Sequence, residues 1–308
     1  MHFLDDGVII SRGVIGMYVD KQCNQWWKGN LHLHTTVSDG QRTPEEACRL
    51  YREAGYDFIA RTDHWLYGEE TVSPEGLLVL SGCEYNIGGN VVEGIYHIVS
   101  VGTTRDPGLT KGQPYTATEL VEAIHKADGL AVLAHPAWSL NTPEQMLSVK
   151  GVDCTEIFNS VSDLPRNCRP YSGLLTDMLA AQEVYLPLIA TDDTHFYEQA
   201  DLCRSFICVK APTCTRDDLM AALRAGDFYA SQGPQLDVRL QNGVLTVDCS
   251  PVEEIVYHTG WVWSPHRSQM GEGLTHGEYT VSGADRFVRV EVRDAQGRYA
   301  WSPYFPIK

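Results

Sequence analysis

A regular alternation of apolar runs with amphipathic stretches between Leu31 and Phe228 constrains the fold of this chain most strongly. The runs are short and apolar, which is typical of buried strands. The predicted strands are 57–60, 77–81, 96–101, 130–134, 155–158, 185–190 and 206–209. Strands that alternate with helices predict an α/β fold with a mostly parallel sheet, and about seven such units over roughly 200 residues predict a (β/α) barrel. In such a barrel the functional residues lie at the C-terminal ends of the strands.

Three of the stretches between strands carry signals for the start and the end of a helix. In segment 43–55, Thr43 is a suitable N-cap, Pro44 occupies the first helical position and Gly55 marks the end. Two further segments repeat this design, 116–129 and 215–227. The signals therefore predict three amphipathic helices.

The pattern changes at Gln232, after which short alternating runs follow one another with turn residues between them and no helical segment. This pattern predicts a small antiparallel β-sandwich. We therefore divide the chain into a barrel domain, 1–231, and a C-terminal β-domain, 232–308, and we interpret 1–28 as a β lead-in that packs on the C-terminal domain. No linker rich in Pro, Gly or Ser separates the two parts, so we expect them to pack together.

The bulk composition argues against several classes of protein. A formal net charge of −16 disfavours a protein that wraps a nucleic acid polymer or coats an anionic membrane. Segment 1–10 has acidic residues where a signal peptide carries positive charge, and no run of about 18 apolar residues occurs. The nine cysteines are scattered without a C-x-x-C pair, as expected of thiols in a reducing compartment. We expect a cytoplasmic protein that is neither exported nor inserted into a membrane.

Histidines and carboxylates are concentrated at the ends of the predicted strands. Six of the 11 histidines lie there, namely His32, His34, His64, His97, His135 and His195. Carboxylates accompany them, namely Asp39, Asp63, Glu84, Asp192 and Asp193. A single histidine at a strand end is more often a packed core residue than a ligand. Six of them with matched carboxylates favour a metal site, and imidazole with carboxylate ligands suits zinc, manganese or iron. The set is larger than one ion needs.

The order of these motifs resembles that of the PHP family (polymerase and histidinol phosphatase), a superfamily of metal-dependent phosphoesterases. The matching elements are H-x-H with S-D-G in GNLHLHTTVSDG, then T-D-H, a glutamate after a strand, a strand histidine, A-H-P and D-x-H. The resemblance covers about 29–230 and implies a distorted seven-stranded (β/α) barrel of the TIM type. The C-terminal part is similar, more loosely, to a small β-domain appended in some bacterial members.

The resemblance also implies a trinuclear metal site, in which two or three positions would be filled by divalent ions (manganese, zinc or iron). The first ion would be held by His32, His34, Glu84 and Asp193. Glu84 would bridge to a second ion held by His97 and His135. A third would be held by Asp39, His64 and His195. The family pattern D-x-H favours Asp193 over Asp192 as the ligand.

The resemblance implies hydrolysis of a small phosphate ester, a monoester or a diester, by a metal-bridging hydroxide. The candidate catalytic residues are Asp63, Glu84 and His195, and Asp63 is also interpreted as a carboxylate that fixes the tautomer of a ligand histidine. The candidate substrate contacts are Glu156, Asn159, Arg169 and Trp138. Glu156 and Asn159 could instead cap a helix, and Trp138 could be a core residue. Four arginines could clamp an anion, namely Arg169 and, in addition, Arg61, Arg166 and Arg204.

Two other classes of function remain open at this stage. A histidine-rich barrel also supports amidohydrolase-like cleavage of C–N or C–O bonds. No lysine lies at a predicted strand end, which favours phosphorus chemistry because a metal-activated lysine marks many such hydrolases. The third possibility is a non-catalytic, metal-dependent binding module, which the complete ligand set disfavours.

Overall fold

The computed structural model describes residues 18–20, 22–197 and 200–307. The predicted acidic N-terminal segment and most of the predicted lead-in lie outside these ranges. The strands are β1 (Tyr18–Val19), β2 (Gln25–Asn30), β3 (Phe58–Ala60), β4 (Thr71–Val72), β5 (Leu78–Leu80), β6 (Gly82–Asn90), β7 (Gly94–Val101), β8 (Leu130–Leu133), β9 (Cys154–Asn159), β10 (Leu188–Thr191), β11 (Phe206–Lys210), β12 (Phe228–Ser231), β13 (Leu236–Gln241), β14 (Val244–Thr259), β15 (Ser268–Thr280), β16 (Phe287–Arg293), β17 (Tyr299–Trp301) and β18 (Phe305–Pro306). The helices are α1 (Pro44–Glu53), α2 (Ala117–Lys126), α3 (Pro143–Ser148), α4 (Gly173–Ala180) and α5 (Arg216–Ala225), and a short 3-10 helix spans Val161–Asp163.

The three predicted helices are confirmed as α1, α2 and α5. The side chain of Thr43 accepts a hydrogen bond from the backbone N–H of Glu46, and the Glu46 side chain bonds back to Thr43. This reciprocal pair satisfies two backbone donors that the first turn would leave open. Gly226 ends α5 with φ of 76°, a left-handed conformation that glycine adopts without a Cβ clash.

The strands divide between two sheets, and this division differs from the predicted barrel. The larger sheet runs β13-β14-β16-β17-β12-β11-β2-β3-β5-β4, and the smaller runs β10-β9-β8-β7-β6. Parallel isolated bridges, Leu33 with Thr194 and His64 with Glu84, join the sheets. The α/β class and strands within each of the seven predicted runs are confirmed, but the described residues form no single closed seven-stranded barrel.

The sheets are also less parallel than predicted. Strands β6 and β7 pair antiparallel, because the short turn at 91–93 reverses the chain without a crossover helix. Strand β8 pairs antiparallel with β7, and β11 pairs antiparallel with β2. Parallel pairing is retained for β2 with β3, β3 with β5, β8 with β9, and β9 with β10.

After α5 the described chain forms only strands, as the alternating pattern predicts. These strands extend the larger sheet, because β17 pairs antiparallel with β12 of the preceding part. One buried apolar cluster includes Leu33 and Ile59 from the first part and Val247 and Val290 from the second. The two parts therefore share a core, and the boundary at 231/232 stays a prediction.

No helix in the described ranges combines the length and the apolar character that crossing a membrane requires. No disulfide joins any of the nine cysteines.

Candidate metal centre

The fold brings together all nine predicted ligands. They form three overlapping groups whose potential donor atoms lie within 4.8 Å of one another. The groups are His32, His34, Glu84 and Asp193; Glu84, His97 and His135; and His34, Asp39, His64 and His195. Most of these side chains follow the C-terminal end of a strand, which is where the alternation of strands and helices predicted them.

The first group has the spacing of ligands that share one ion. The Nε2 atom of His34 lies 3.0 Å from both Glu84 Oε2 and Asp193 Oδ1. The Nε2 atom of His32 lies 3.2 Å from the same two oxygens. Donors bound to one zinc ion at about 2.1 Å lie roughly 3.0–3.5 Å apart, so these distances fit a shared ion.

The second group is joined to the first through Glu84. Its Oε2 atom faces the first group, whereas Oε1 lies 2.6 Å from His97 Nδ1 and 3.5 Å from His135 Nε2. One carboxylate thus presents a separate oxygen to each group, which is the arrangement that a bridging ligand requires. Glu84 is 1% exposed, so no solvent competes for these oxygens.

The third group gathers around Asp39, whose carboxylate lies 3.6 Å from His195 Nε2 and 3.7 Å from His64 Nε2. His34 also belongs here, because its Nδ1 atom lies 3.6 Å from Asp39. A neutral imidazole offers one lone-pair nitrogen. His34 can therefore serve one ion through Nε2 while its Nδ1–H faces Asp39.

Two atoms of the centre are buried without a hydrogen-bond partner in the described part of the chain, Asp193 Oδ1 and His64 Nδ1. Buried polar atoms in proteins are almost always bonded, so an orphan requires an explanation such as an ion. Asp193 Oδ1 faces the histidines of its own group, and His64 Nδ1 lies 3.2 Å from Glu84 Oε2, which belongs to the other two groups. The residues present therefore fit divalent metal ions.

The protonation of the cluster without metal reflects this crowding of donors. Burial alone would lower the pKa of His34, but the adjacent carboxylates of Asp193 and Glu84 favour the protonated ring, outweigh burial and raise the pKa to about 9. Burial would raise the pKa of Asp193 and Glu84, but the neighbouring histidines hold both well below the usual range. Protons thus supply the positive charge that metal ions would supply.

Glu156 orients two of the histidines, and it does not contact the cavity. It is fully buried, and its Oε1 atom accepts from His32 Nδ1 at 2.8 Å and from Thr191 Oγ1 at 2.6 Å. Its Oε2 atom accepts from the backbone N–H of His135 and from Asn159 Nδ2, both at 2.8 Å. The sequence predicted that Glu156 contacts the substrate, and this geometry does not support that role. The hydrogen bonds of Glu156 are all made to groups inside the protein. Its bond to His32 Nδ1 directs Nε2 of His32 toward the metal site.

Asn159 is also fully buried, and it links Glu156 to a ligand. Its amide donates to Glu156 and to Asp193 Oδ2, the latter at 3.1 Å, and its Oδ1 atom accepts from Ser162. Asn159 is therefore placed to position Asp193 and does not face a substrate.

Asp63 fixes a loop, whereas the sequence predicted that it orients a histidine ring. Its carboxylate accepts from the backbone N–H of Thr35 at 2.8 Å and from Ser38 Oγ at 2.8 Å. These bonds hold the turn that carries Asp39. Asp63 is fully buried and does not line the cavity, so it has no route to a reacting group.

The choice between the two adjacent aspartates agrees with the geometry. Asp192 turns away from the metal groups and accepts from Tyr51 and from the backbone N–H groups of Cys203, Arg204 and Ser205. Burial raises its pKa to about 6 despite these bonds. Asp193 alone of the pair faces the other ligands.

A cavity of about 370 Å³ opens onto the three groups. Its lining includes Trp138, Val161, Ser162, Arg166, Asn167 and Tyr197 beside the ligands. Trp138 packs edge-on against His135, with ring centroids 5.0 Å apart, so its predicted place at the pocket is compatible with the structure. Arg166 lines the cavity, whereas the predicted Arg169 does not.

The other arginine candidates are engaged elsewhere. Arg204 pairs with Asp163 at 2.6 Å, and Arg61 lies 3.5 Å from Asp63. Tyr197, Ser162 and Asn167 were missed by sequence reasoning, because nothing in the sequence reveals which loop residues turn inward. A larger cavity of about 750 Å³ contains no histidine in its lining and lies apart from the ligand groups.

Comparison of the sequence with protein-family models and with curated proteins finds no match. Among solved structures, the chain is similar to a two-domain protein containing a predicted PHP-like metal-dependent phosphoesterase from Bacteroides vulgatus, with a TM-score of 0.52 and 15% identity over 92% of this chain and 95% of that chain. An amidohydrolase from Chromobacterium violaceum has a TM-score of 0.39 and 17% identity over 54% of this chain and 87% of its own.

The lesion-specific endonuclease EndoQ from Pyrococcus furiosus has a TM-score of 0.44 and 15% identity over 65% of this chain and 56% of its own. These last two likenesses are too low to support an argument about function. The similarity to the Bacteroides structure extends over both parts of the chain. This chain therefore has the fold of a two-domain protein with a PHP-like part, in agreement with the family that its motifs resemble.

Proposed function

We propose that this protein is a metal-dependent hydrolase that cleaves a small phosphate ester, either a monoester or a diester. The observation that carries the proposal is the grouping of nine donor side chains into three overlapping sets at one cavity. Packing alone needs no such convergence of buried imidazoles and carboxylates. Metal ions bound there would supply positive charge for the phosphoryl oxygens and would acidify a water molecule.

The side chains of the protein would contribute to hydrolysis by fixing the positions of the metal ions and the substrate. Glu84 holds two groups at a fixed separation through its two oxygens, and we propose Glu84 and His195 as catalytic residues at the cavity. Asp39 is 50% exposed, so the third group is the one most open to an entering molecule. Trp138 walls the side next to His97 and His135, and it excludes water there.

Arg166 is the cavity residue best suited to bind an anionic ester. Its guanidinium lies 4.4 Å from the ring centroid of Tyr197, and it makes no ion pair in the described part of the chain. The hydroxyl of the neighbouring Ser162 already donates to Asn159 Oδ1, and the Asn167 amide donates one hydrogen bond to the Val161 carbonyl. The guanidinium of Arg166 can therefore donate hydrogen bonds to a phosphate oxygen.

The proposed substrate is a small molecule. A cavity of about 370 Å³ is within the range of small-ligand sites, and the chain carries a net charge of −16. That charge disfavours a nucleic acid polymer, which proteins bind through basic surfaces. No lysine lines the cavity, which supports phosphorus chemistry over the C–N or C–O hydrolysis of a lysine-dependent barrel.

Metal analysis and a substrate screen test the proposal. The purified protein should bind about two or three divalent ions per chain, as multinuclear phosphoesterases do. It should hydrolyse at least one of p-nitrophenyl phosphate, bis-p-nitrophenyl phosphate or a cyclic phosphate with manganese, zinc or iron. His34→Ala and Asp193→Ala should abolish hydrolysis, whereas His125→Ala, at a surface histidine paired with Asp153, should not. Hydrolysis that survives in both ligand variants, or protein that binds no stoichiometric metal, would contradict the proposal.

A further inference from the structure

A single segment that joins β9 to α4 contributes part of the cavity wall. We call residues 160–171 the cavity loop. It contributes Val161, Ser162, Arg166 and Asn167 to the lining, and it contains the proposed anion-binding arginine. The position of this loop therefore determines what the cavity can accept.

The first half of the cavity loop is fixed from the metal site. Ser162 donates through Oγ to Asn159 Oδ1 at 2.8 Å, and Asn159 in turn bonds to Asp193. The backbone N–H of Arg169 donates to the carbonyl of Ser162 at 3.0 Å, which closes the loop on itself. At the far end the backbone pairs with β9, because the N–H of Asn159 donates to the Pro170 carbonyl at 3.1 Å and the N–H of Ser172 donates to the Ile157 carbonyl at 2.9 Å.

The C-terminal strands hold the side chain of Tyr171 at this far end. The hydroxyl of Tyr171 donates to Glu291 Oε2 at 2.6 Å and accepts from Arg289 Nη2 at 3.2 Å. Both partners belong to β16. The Tyr171 ring also stacks on Trp301 of β17 at 6.3 Å, and Trp301 Nε1 donates to the same Glu291 oxygen at 2.8 Å. Tyr171 is therefore held by side chains of two C-terminal strands.

The anchor that holds Tyr171 is itself rigid. Arg289 is fully buried, and its guanidinium forms a bidentate pair with Asp177 of α4, at 2.7 Å and 2.8 Å. A buried guanidinium that is satisfied by a planar carboxylate has little freedom to reorient. The same arginine thus fixes the loop at Tyr171 and the helix that follows it.

We propose that the C-terminal strands position the cavity loop, and that Tyr171, Arg289 and Glu291 are positioning residues for the substrate site. The inference rests on the proposed function, because it assigns the loop to substrate binding. Its consequence is specific: loosening this contact changes how the cavity binds a substrate without changing how the centre binds metal. No atom of the three residues lines the cavity, so any effect on binding passes through the loop.

Two tyrosine variants provide a matched test in the metal-loaded, full-length protein. Tyr171→Phe removes the hydroxyl that joins the cavity loop to β16. Tyr304→Phe removes a hydroxyl that donates to Asp177 at 2.7 Å, in the same network but outside the loop. Glu291→Gln serves as a second loop variant. The measurements are hydrogen–deuterium exchange of residues 160–171, bound metal, and KM and kcat for p-nitrophenyl phosphate.

Tyr171→Phe and Glu291→Gln should each speed exchange in the cavity loop by about fivefold or more, which corresponds to the loss of one hydrogen bond. KM should rise by a similar factor, while bound metal and kcat stay within about twofold of wild type. Tyr304→Phe should leave loop exchange and KM unchanged. Unaltered loop exchange in Tyr171→Phe, or an equal increase in Tyr304→Phe, would overturn the inference. If wild type hydrolyses no phosphate ester, the proposed function fails while the exchange measurement still decides whether the strands hold the loop.

Discussion

Two proposed ligands sit in backbone conformations that are uncommon for residues with a side chain. His135 has φ of 28° and Asp193 has φ of 48°, and neither is a glycine. Left-handed backbone at a non-glycine residue costs of order 1 kcal/mol or more, and it persists only where the surroundings fix it. At both positions the surroundings include Glu156 and its hydrogen bonds. The cluster around Glu156 therefore sets the geometry of the metal site at the scale of single residues.

Replacement of Glu156 by Gln should weaken metal binding without preventing folding. The carboxylate accepts four hydrogen bonds from donors that include His32 and His135, whereas an amide presents a donor to at least one of them. We expect metal affinity to fall by about 10- to 100-fold, as for other groups that orient metal ligands. Equilibrium dialysis against manganese measures this loss.

Glu122→Gln on the exposed face of α2 is the matched control, since it makes the same chemical change away from the centre. Its metal affinity should equal that of wild type. Equal affinity in wild type and Glu156→Gln would show that Glu156 does not orient the ligands.

Metal binding should release protons and should weaken as pH falls. The pKa of His34 in the metal-free protein is raised to about 9, so its ring carries a proton at neutral pH that an ion must displace. Below pH 9 the metal ion competes with the proton on His34, so the apparent metal affinity increases as pH rises toward 9. Titration calorimetry in buffers with different ionisation enthalpies counts the protons released. A binding heat that does not depend on the buffer would contradict this expectation.

At the scale of elements, the cavity loop carries two arginines that the sequence alone does not distinguish but that the structure places differently. Arg166 faces the cavity and Arg169 does not, although only two residues lie between them. Loop conformation places one guanidinium beside Tyr197 and the other outside the lining. The loop therefore decides which arginine meets an anionic substrate.

Arg166→Ala should raise KM for p-nitrophenyl phosphate by about tenfold or more, the usual effect of losing a hydrogen bond to a charged group. Arg169→Ala provides the control, because it removes the same charge from the same loop. It should change KM by less than about twofold, since exposed charges contribute little. The reverse ranking of the two variants would show that the loop presents Arg169 instead.

The positions of several elements and the convergence of the nine candidate ligands were accessible from the sequence, whereas pairing between distant elements was not. The capping signal at Thr43 and the apolar run before His135 act locally, so both were predicted correctly. The antiparallel hairpin of β6 and β7 depends on a chain reversal in a glycine-rich segment that reads equally well as a loop. The inward-facing roles of Glu156 and Asp63 depend on contacts with segments at least 20 residues away, which no local pattern encodes.

At the scale of the whole molecule, the proposed metal site lies between two sheets that also share buried apolar side chains, such as Phe58 of the larger sheet and Val132 of the smaller one. His32 and His34 follow β2 of the larger sheet, whereas Glu84 lies in β6 and Asp193 follows β10 of the smaller one. Without metal, this junction brings carboxylates together with histidines whose charge depends on pH. Ions bound there would link the sheets through coordination bonds from both sides.

Removal of metal should therefore lower the stability of the entire chain. An ion at a hundredfold excess over its dissociation constant stabilises the folded state by about 2.7 kcal/mol. For a chain of 308 residues each kcal/mol corresponds to about 1.5 °C in Tm, so chelation should lower Tm by about 4 °C. Differential scanning calorimetry with manganese and with a chelator measures the shift. Asp193→Ala should show a smaller chelator-dependent shift than wild type, because it removes a carboxylate of the first group and leaves the other two groups intact. A shift in Asp193→Ala as large as that of wild type would show that an ion in the first group does not stabilise the chain.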